Sequence, residues 1–281
     1  MNADYIENII RNIEDQSYRC ILIDGAWGIG KSYMVEKALE DLKGRTCFVS
    51  LFGMDNAQQI YHEILFQLFF QTPDGGKMVK WLRDATKFLG NFNWKAKTIN
   101  TVLESRFSEQ DAVVILSRRF ETKHVIVIDD LERCENNLSL REVFGVVEAL
   151  KQCNNIQVVI IANTDEIEAK EDFEKYNEKV IDRVFRVTEY SNKVKWGELY
   201  VEPGFAVDFF SRHKTINLRT VKKAQNFYKD VSLFCEDIKD VHFLNEVRQI
   251  CFAVVVEDID RIYYTEYRDR DNRNNEKRLQ Y

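Results

Sequence analysis

Cys20-Ile21-Leu22-Ile23-Asp24-Gly25-Ala26-Trp27-Gly28-Ile29-Gly30-Lys31-Ser32 is the stretch whose reading decides the fold. It opens with four apolar, strand-like residues and ends in G-x4-G-K-S, the phosphate-binding loop. The chemistry explains each residue type. Glycines let backbone N–H groups converge on phosphate oxygens with no Cβ in the way, forming an anion nest. A helix opening near Lys31 sets its positive end beneath the phosphates. Lys31 is expected to reach the β- and γ-phosphates, and the Ser32 hydroxyl to ligate Mg²⁺. The expected nucleotide-binding set is Gly25, Ala26, Trp27, Gly28, Ile29, Gly30, Lys31, Ser32 and Tyr33. Three of the chain's 11 glycines fall within this loop, which ties them to one task rather than to scattered turns.

A phosphate loop needs a metal-anchoring acid at the tip of a neighbouring strand. Val125-Ile126-Val127-Ile128-Asp129-Asp130-Leu131-Glu132-Arg133 supplies a buried strand ending in paired acids. Asp129 is expected to hold Mg²⁺, and Asp130 to orient or deprotonate the attacking water. Glu132 is the alternative water-positioning acid. The strand Gln157-Val158-Val159-Ile160-Ile161-Ala162 ends at Asn163, an amide suited to the attacking water or the γ-phosphate. Asn163-Thr164-Asp165 is also good capping chemistry, so both readings stand. Charge developing on a transferred phosphoryl group is best met by a guanidinium. The candidates are Arg183 and Arg186, where a helix passes into the last strand, and Arg219, near the start of a later helix.

Working outward, the first two hundred residues alternate strands with helices. Strands are predicted over 19–24, 46–51, 123–128, 157–162 and 184–187, and helices over 33–42, 57–71, 140–153 and 165–182. Val- and Ile-rich strands separated by helices call for a parallel sheet covered on both faces. The stretch up to Phe120 holds no strand signal, and a helical insertion is expected over about 72–120. Residues 205–268 read as helical throughout, after a joint at Glu202-Pro203-Gly204. The expected organisation is an α/β core over 1–200 and a smaller all-helical lid over 203–281. The pattern ends mid-helix at Leu279-Gln280-Tyr281, as a truncated lid would.

With 281 residues, 45% of them hydrophobic, the chain can bury such cores. Forty basic against 46 acidic residues leave a net charge of −6, which argues against a dedicated nucleic-acid binder. The stretch from Lys77 to Lys97 interleaves cations with Trp81, Phe88, Phe92 and Trp94. It reads as an amphipathic helix packing its own aromatics before it reads as a base-stacking platform. Apolar runs are strand-length, so no membrane span is expected. Six cysteines without a CxxC pair and an acidic, polar start fit a cytoplasmic protein with free thiols. The four histidines never group with other ligands at metal-binding spacing.

The order of the Gly25-to-Ser32 loop, Ile128-Asp129-Asp130-Leu131-Glu132-Arg133 and a strand ending at Asn163 resembles the additional-strand P-loop NTPases. Within them it looks most like the KAP type, related to the STAND and AAA+ groups. Ser50-Leu51-Phe52-Gly53 after the second strand fits that likeness. The resemblance implies a P-loop NTPase core with a helical lid, Lys31 and Ser32 on nucleotide and metal, Asp129 on Mg²⁺ and Asp130 as catalytic acid. It further implies that Asn217-Leu218-Arg219 is a sensor segment aiming Arg219 at the γ-phosphate, and that Arg183 stands where relatives carry an arginine finger.

The function expected is a Mg²⁺-dependent ATPase whose turnover switches conformation or assembly, with ATP, a second copy or another protein as partner. Analogy places such proteins in bacterial anti-phage defence or signalling. ATP is favoured because no Asn-Lys-x-Asp guanine-reading segment occurs. The alternatives are a non-hydrolysing nucleotide switch, a small-molecule kinase and a nucleic-acid motor.

Overall fold

The computed structural model describes residues 1, 3–42, 44–70, 109–119, 122–134, 138–189, 204–205, 208–209 and 217–260. Most of the expected insertion, including Lys77 to Lys97, and the charged tail lie outside these residues. The chain divides into two units. One holds Met1–Gly25 and Lys31–Thr188, and the other holds Ala26–Gly30 and Glu189–Tyr281.

The first unit is built on β1 (Cys20–Gly25), β2 (Thr46–Ser50), β3 (His124–Asp129), β4 (Ile156–Ala162) and β5 (Arg183–Val187). These form one sheet in the order β2-β3-β4-β1-β5, with every pairing parallel. The strand β4 lies between the phosphate-loop strand β1 and the acid strand β3, which is the additional-strand arrangement the sequence implies. The three central strands are buried nearly end to end, whereas β2 and β5 alternate as edge strands do. Parallel neighbours require crossovers, and helices supply them.

Side chains of even and odd residues face opposite sides of the sheet. Leu22, Ile126, Ile128, Val158 and Ile160 join one core with α3 (Ala57–Phe70), α4 (Glu109–Arg119) and α5 (Leu140–Gln152) through Ile60, Ile64, Ile115, Val143 and Val147. Each such side chain contributes roughly 1.5–3 kcal/mol through burial. On the other face α1 (Ala3–Arg11) packs with α2 (Lys31–Ala38), and they meet β5 and β1 respectively. The helix α1 buries Ile6 and Ile10, one turn apart. A capping box starts α5, with Ser139 accepting from the Glu142 N–H and Glu142 accepting in return.

Two expectations are corrected. The helix anticipated over 165–182 is a short 3₁₀ turn, Thr164–Glu166, followed by α6 (Lys170–Val180). The Asp165 carboxylate is turned to Arg186, 2.6 Å away, and Asn163 makes no side-chain cap to this turn. The C-terminal region is helical as expected, but among the described residues the run is interrupted. It holds α7 (Leu218–Ser232), a 3₁₀ turn at Leu233–Cys235 and α8 (Val241–Asp260), with a break before Asp240, whose carboxylate accepts from the first N–H groups of α8. The two helices pack around Phe209, Val221, Ala224, Phe252 and Val256. All six cysteines are free thiols. No described helix is long and apolar enough to cross a membrane.

Candidate nucleotide site

The carboxyl ends of the parallel strands gather most of the candidate residues, as open α/β sheets do. Gly25 closes β1 opposite Val187, and Ser50 ends β2 opposite Asp129. From β1 the chain turns through Ala26–Gly30 into α2. Gly28 has φ +74° and Gly30 φ +94°, a left-handed backbone that side chains resist. Lys31 is buried, and its ammonium donates to the Gly25 carbonyl oxygen at 2.5 Å. Ile29 is buried, while Ala26, Trp27 and Tyr33 face solvent.

Ser32, on the first turn of α2, donates its hydroxyl to Asp129 Oδ2 at 2.5 Å. The other oxygen of Asp129 accepts the Asp130 N–H at 2.8 Å. Burial pushes the Asp129 carboxyl above its ordinary value, while the Ser32 hydroxyl and the Asp130 amide pull the other way. A hydroxyl and a carboxylate already this close form the donor set a hard divalent cation takes. The residues therefore fit the Mg²⁺ and triphosphate that the loop motif implies.

Asp130 differs from its neighbour in its backbone. Its backbone is left-handed, φ +62° and ψ +38°, and it is the one non-glycine residue with positive φ among those described. Such a conformation costs about 1 kcal/mol or more outside glycine, and it concentrates at functional sites. It turns the carboxylate toward Ser50, whose hydroxyl donates to Oδ2 at 2.7 Å, and toward Arg133, whose Nε lies 3.3 Å from Oδ1. The Arg133 guanidinium in turn sits 5.8 Å from the centre of the Phe52 ring. Neither Ser50 nor Arg133 has a role that its motif alone discloses. Polar residues ending a strand beside the acid strand are the signal that would have found Ser50.

The β4 tip is held differently. Glu132 accepts the Asn163 N–H at 3.0 Å, and Asp24 accepts the Thr164 N–H at 2.9 Å. Asp24, buried just ahead of the loop, also meets Arg186 Nε at 2.9 Å, and Arg186 meets Asp165. Glu132, the alternative water-positioning acid, thus has one carboxylate oxygen on a backbone amide. Asn163 is buried at the same tip.

The arginines separate. Arg186 stands beside Asp24, at the loop end of β5. Arg183 pairs opposite Ile21, at the other end of that strand. Four residues of strand put its backbone about 13 Å from the loop end. Its guanidinium lies over the Phe185 ring, 5.9 Å from the centroid. In the second unit Arg219 lies on the first turn of α7, exposed, after the N-cap Asn217. Among the described residues no group of three or more His, Cys, Asp and Glu forms a ready-made metal cage.

Similarity to known proteins accords with this geometry. The KAP family P-loop domain matches residues 2–199. No curated protein matches the chain. Among solved structures, Cdc6p from Pyrobaculum aerophilum is 14% identical with a TM-score of 0.50, over 82% of this chain and 60% of that one. A Walker-type ATPase of Pyrococcus abyssi is 13% identical, also with a TM-score of 0.50, over 95% of this chain and 76% of that one. Identities this low speak to the fold alone, and the chain spans 60% of the length of Cdc6p. With the match covering most of its length, the chain belongs to the KAP family of P-loop NTPases.

Proposed function

We propose that this chain binds Mg·ATP and hydrolyses it, using turnover to switch conformation or assembly. The observation that carries the reading is the 2.5 Å hydrogen bond from Ser32 to Asp129, which joins the loop hydroxyl to the acid strand. Bound Mg²⁺ would neutralise charge developing on the β- and γ-phosphate oxygens. The chain's own residues do the rest. Loop amides from Gly25 to Ser32 cradle the phosphates, and Lys31 leaves the Gly25 carbonyl for the β,γ-oxygens. Ser32 and Asp129 hold the cation. Asp130 orients a water and accepts its proton, and its present partners Ser50 and Arg133 keep that carboxylate aimed. Asn163 lends its amide at the β4 tip. Arg219 meets the γ-phosphoryl charge, and Arg183 serves only a neighbouring copy, which would tie turnover to assembly.

Phosphate release by wild type, Lys31→Ala and Asp130→Ala tests this reading. Turnover in wild type and its loss in both variants supports it, and three equal rates would discard it. A second reading draws on the engagement of both Asp130 oxygens by Ser50 and Arg133. A carboxylate so occupied suits a switch that binds ATP and turns it over slowly. Saturable Mg·ATP binding with no phosphate released by wild type would favour that reading.

A further inference from the structure

The start of α7 has an unusual partner. The first N–H groups of a helix lack intrahelical acceptors and must find others. Asn217 Oδ1 accepts two of them, from Arg219 at 3.1 Å and Thr220 at 3.4 Å. The Leu218 N–H instead donates to the carbonyl oxygen of Gly28, 3.0 Å away at the apex of the phosphate loop. Asn217 itself lies flat against that glycine. A Cβ placed on Gly28 would fall 1.8 Å from Asn217 Oδ1 and 3.1 Å from its Cα. Gly30 has Leu218 at ordinary contact distance, with Cδ1 3.9 Å from where its Cβ would stand.

We propose that Asn217 is a positioning residue for the phosphate loop. It braces Gly28 in the left-handed conformation on which the anion nest depends, and it thereby sets nucleotide affinity. The inference rests on the reading that the loop binds a triphosphate. The brace works in both directions. If the loop shifts, the Leu218 N–H loses its acceptor. If the first turn of α7 frays, Gly28 loses its hydrogen bond and the side chain packed on it. Glycine at position 28 therefore answers to two demands, the sign of φ and the seat of Asn217.

Two variants of the full chain separate this role from plain capping. Asn217→Ser keeps an N-cap oxygen of equal quality, so its melting temperature should stay within about 2 °C of wild type. Without the amide on Gly28 the loop is less preorganised, and the Mg·ATP dissociation constant measured by calorimetry should rise roughly tenfold. The rate at saturating ATP should change far less, because the loss is in binding. Gly28→Ala should lower the melting temperature of the nucleotide-free chain, and adding Asn217→Gly should recover part of that loss. The clash is then gone and only the left-handed strain remains. Wild-type affinity in Asn217→Ser, or simple additivity in the double variant, overturns the brace while leaving nucleotide binding intact. Absence of saturable binding in wild type instead overturns the reading beneath it, and the melting data distinguish the two failures.

Discussion

The tips of β3 and β4 lie side by side and differ in which groups reach them from elsewhere in the chain. At β3 the carboxylates belong to the strand, and hydroxyls from elsewhere come to them: Ser32 to Asp129, Ser50 to Asp130. At β4 the strand offers backbone N–H groups, and carboxylates come to those: Glu132 to Asn163, Asp24 to Thr164. A hydroxyl on a carboxylate is easily exchanged for a metal ion or a water, since it can rotate to another acceptor. A carboxylate on a backbone amide is charge-assisted and leaves a buried donor stranded if it departs. One tip is therefore built to change partners and the other to stay put. Two acids of one short segment, Asp130 and Glu132, fall on different sides of that division.

The largest effect should come from breaking the exchangeable tip. Asp130→Asn keeps the side chain's shape, and asparagine is the residue after glycine that best tolerates a left-handed backbone. Folding should be unimpaired while phosphate release falls about a hundredfold or more, as loss of a general base implies. Glu132→Gln retains an oxygen for the Asn163 N–H, and its rate should stay within a few-fold of wild type. Comparing kcat for the two variants checks the division directly, and an equal collapse in both would erase it. Next in size is Asp24→Ala, which removes the acceptor of the Thr164 N–H and one of two carboxylate partners of Arg186. Arg186 is half exposed and can turn to water, so a loss of about 1–3 kcal/mol in denaturant unfolding is expected, chiefly from the stranded amide. A smaller effect belongs to Ser50→Ala. Asp130 keeps Arg133, so turnover should change by only a few-fold, on kcat rather than KM, while stability holds.

Most of the sheet was legible because its strands are buried on both faces and spell it out in Val and Ile. The phosphate loop and Asp129 were legible because each is a short local pattern. What was not legible depends on register. The sequence places Arg183 and Arg186 three residues apart with equal claim to the site, and only the pairing of β5 with β1 puts Arg186 beside Asp24 and Arg183 at the far end. Ser50 matters because β2 ends opposite Asp129, which composition cannot reveal. The helix α1 is not legible because nine residues are too few for propensity alone to stabilise a helix, and Ile6 and Ile10 are held by packing. Asn217 reads as an ordinary N-cap until its other neighbour, almost two hundred residues earlier, is known to be Gly28.

The smallest expected effect asks whether the carboxylate-on-amide device is a general habit of this sheet. At the amino end of β1 the Asp182 Oδ2 accepts the Arg19 N–H at 2.6 Å and the Cys20 N–H at 2.9 Å, and Lys151 lies 3.1 Å from its other oxygen. Burial acts to raise the carboxyl's pKa, and the two amides with Lys151 outweigh it, so the group sits below its ordinary value. A folded-state pKa that is depressed contributes stability above the unfolded value of about 4 and loses it as pH falls through the lower, folded one. The residue is exposed enough for solvent to screen the pair, so the contribution is under about 1 kcal/mol. Asp182→Asn keeps one acceptor and no charge. Its deficit against wild type in urea unfolding should therefore be full at neutral pH and shrink below about pH 4. A deficit that stays constant down the pH scale would mean that shape, and not charge on the amides, secures this end of the strand.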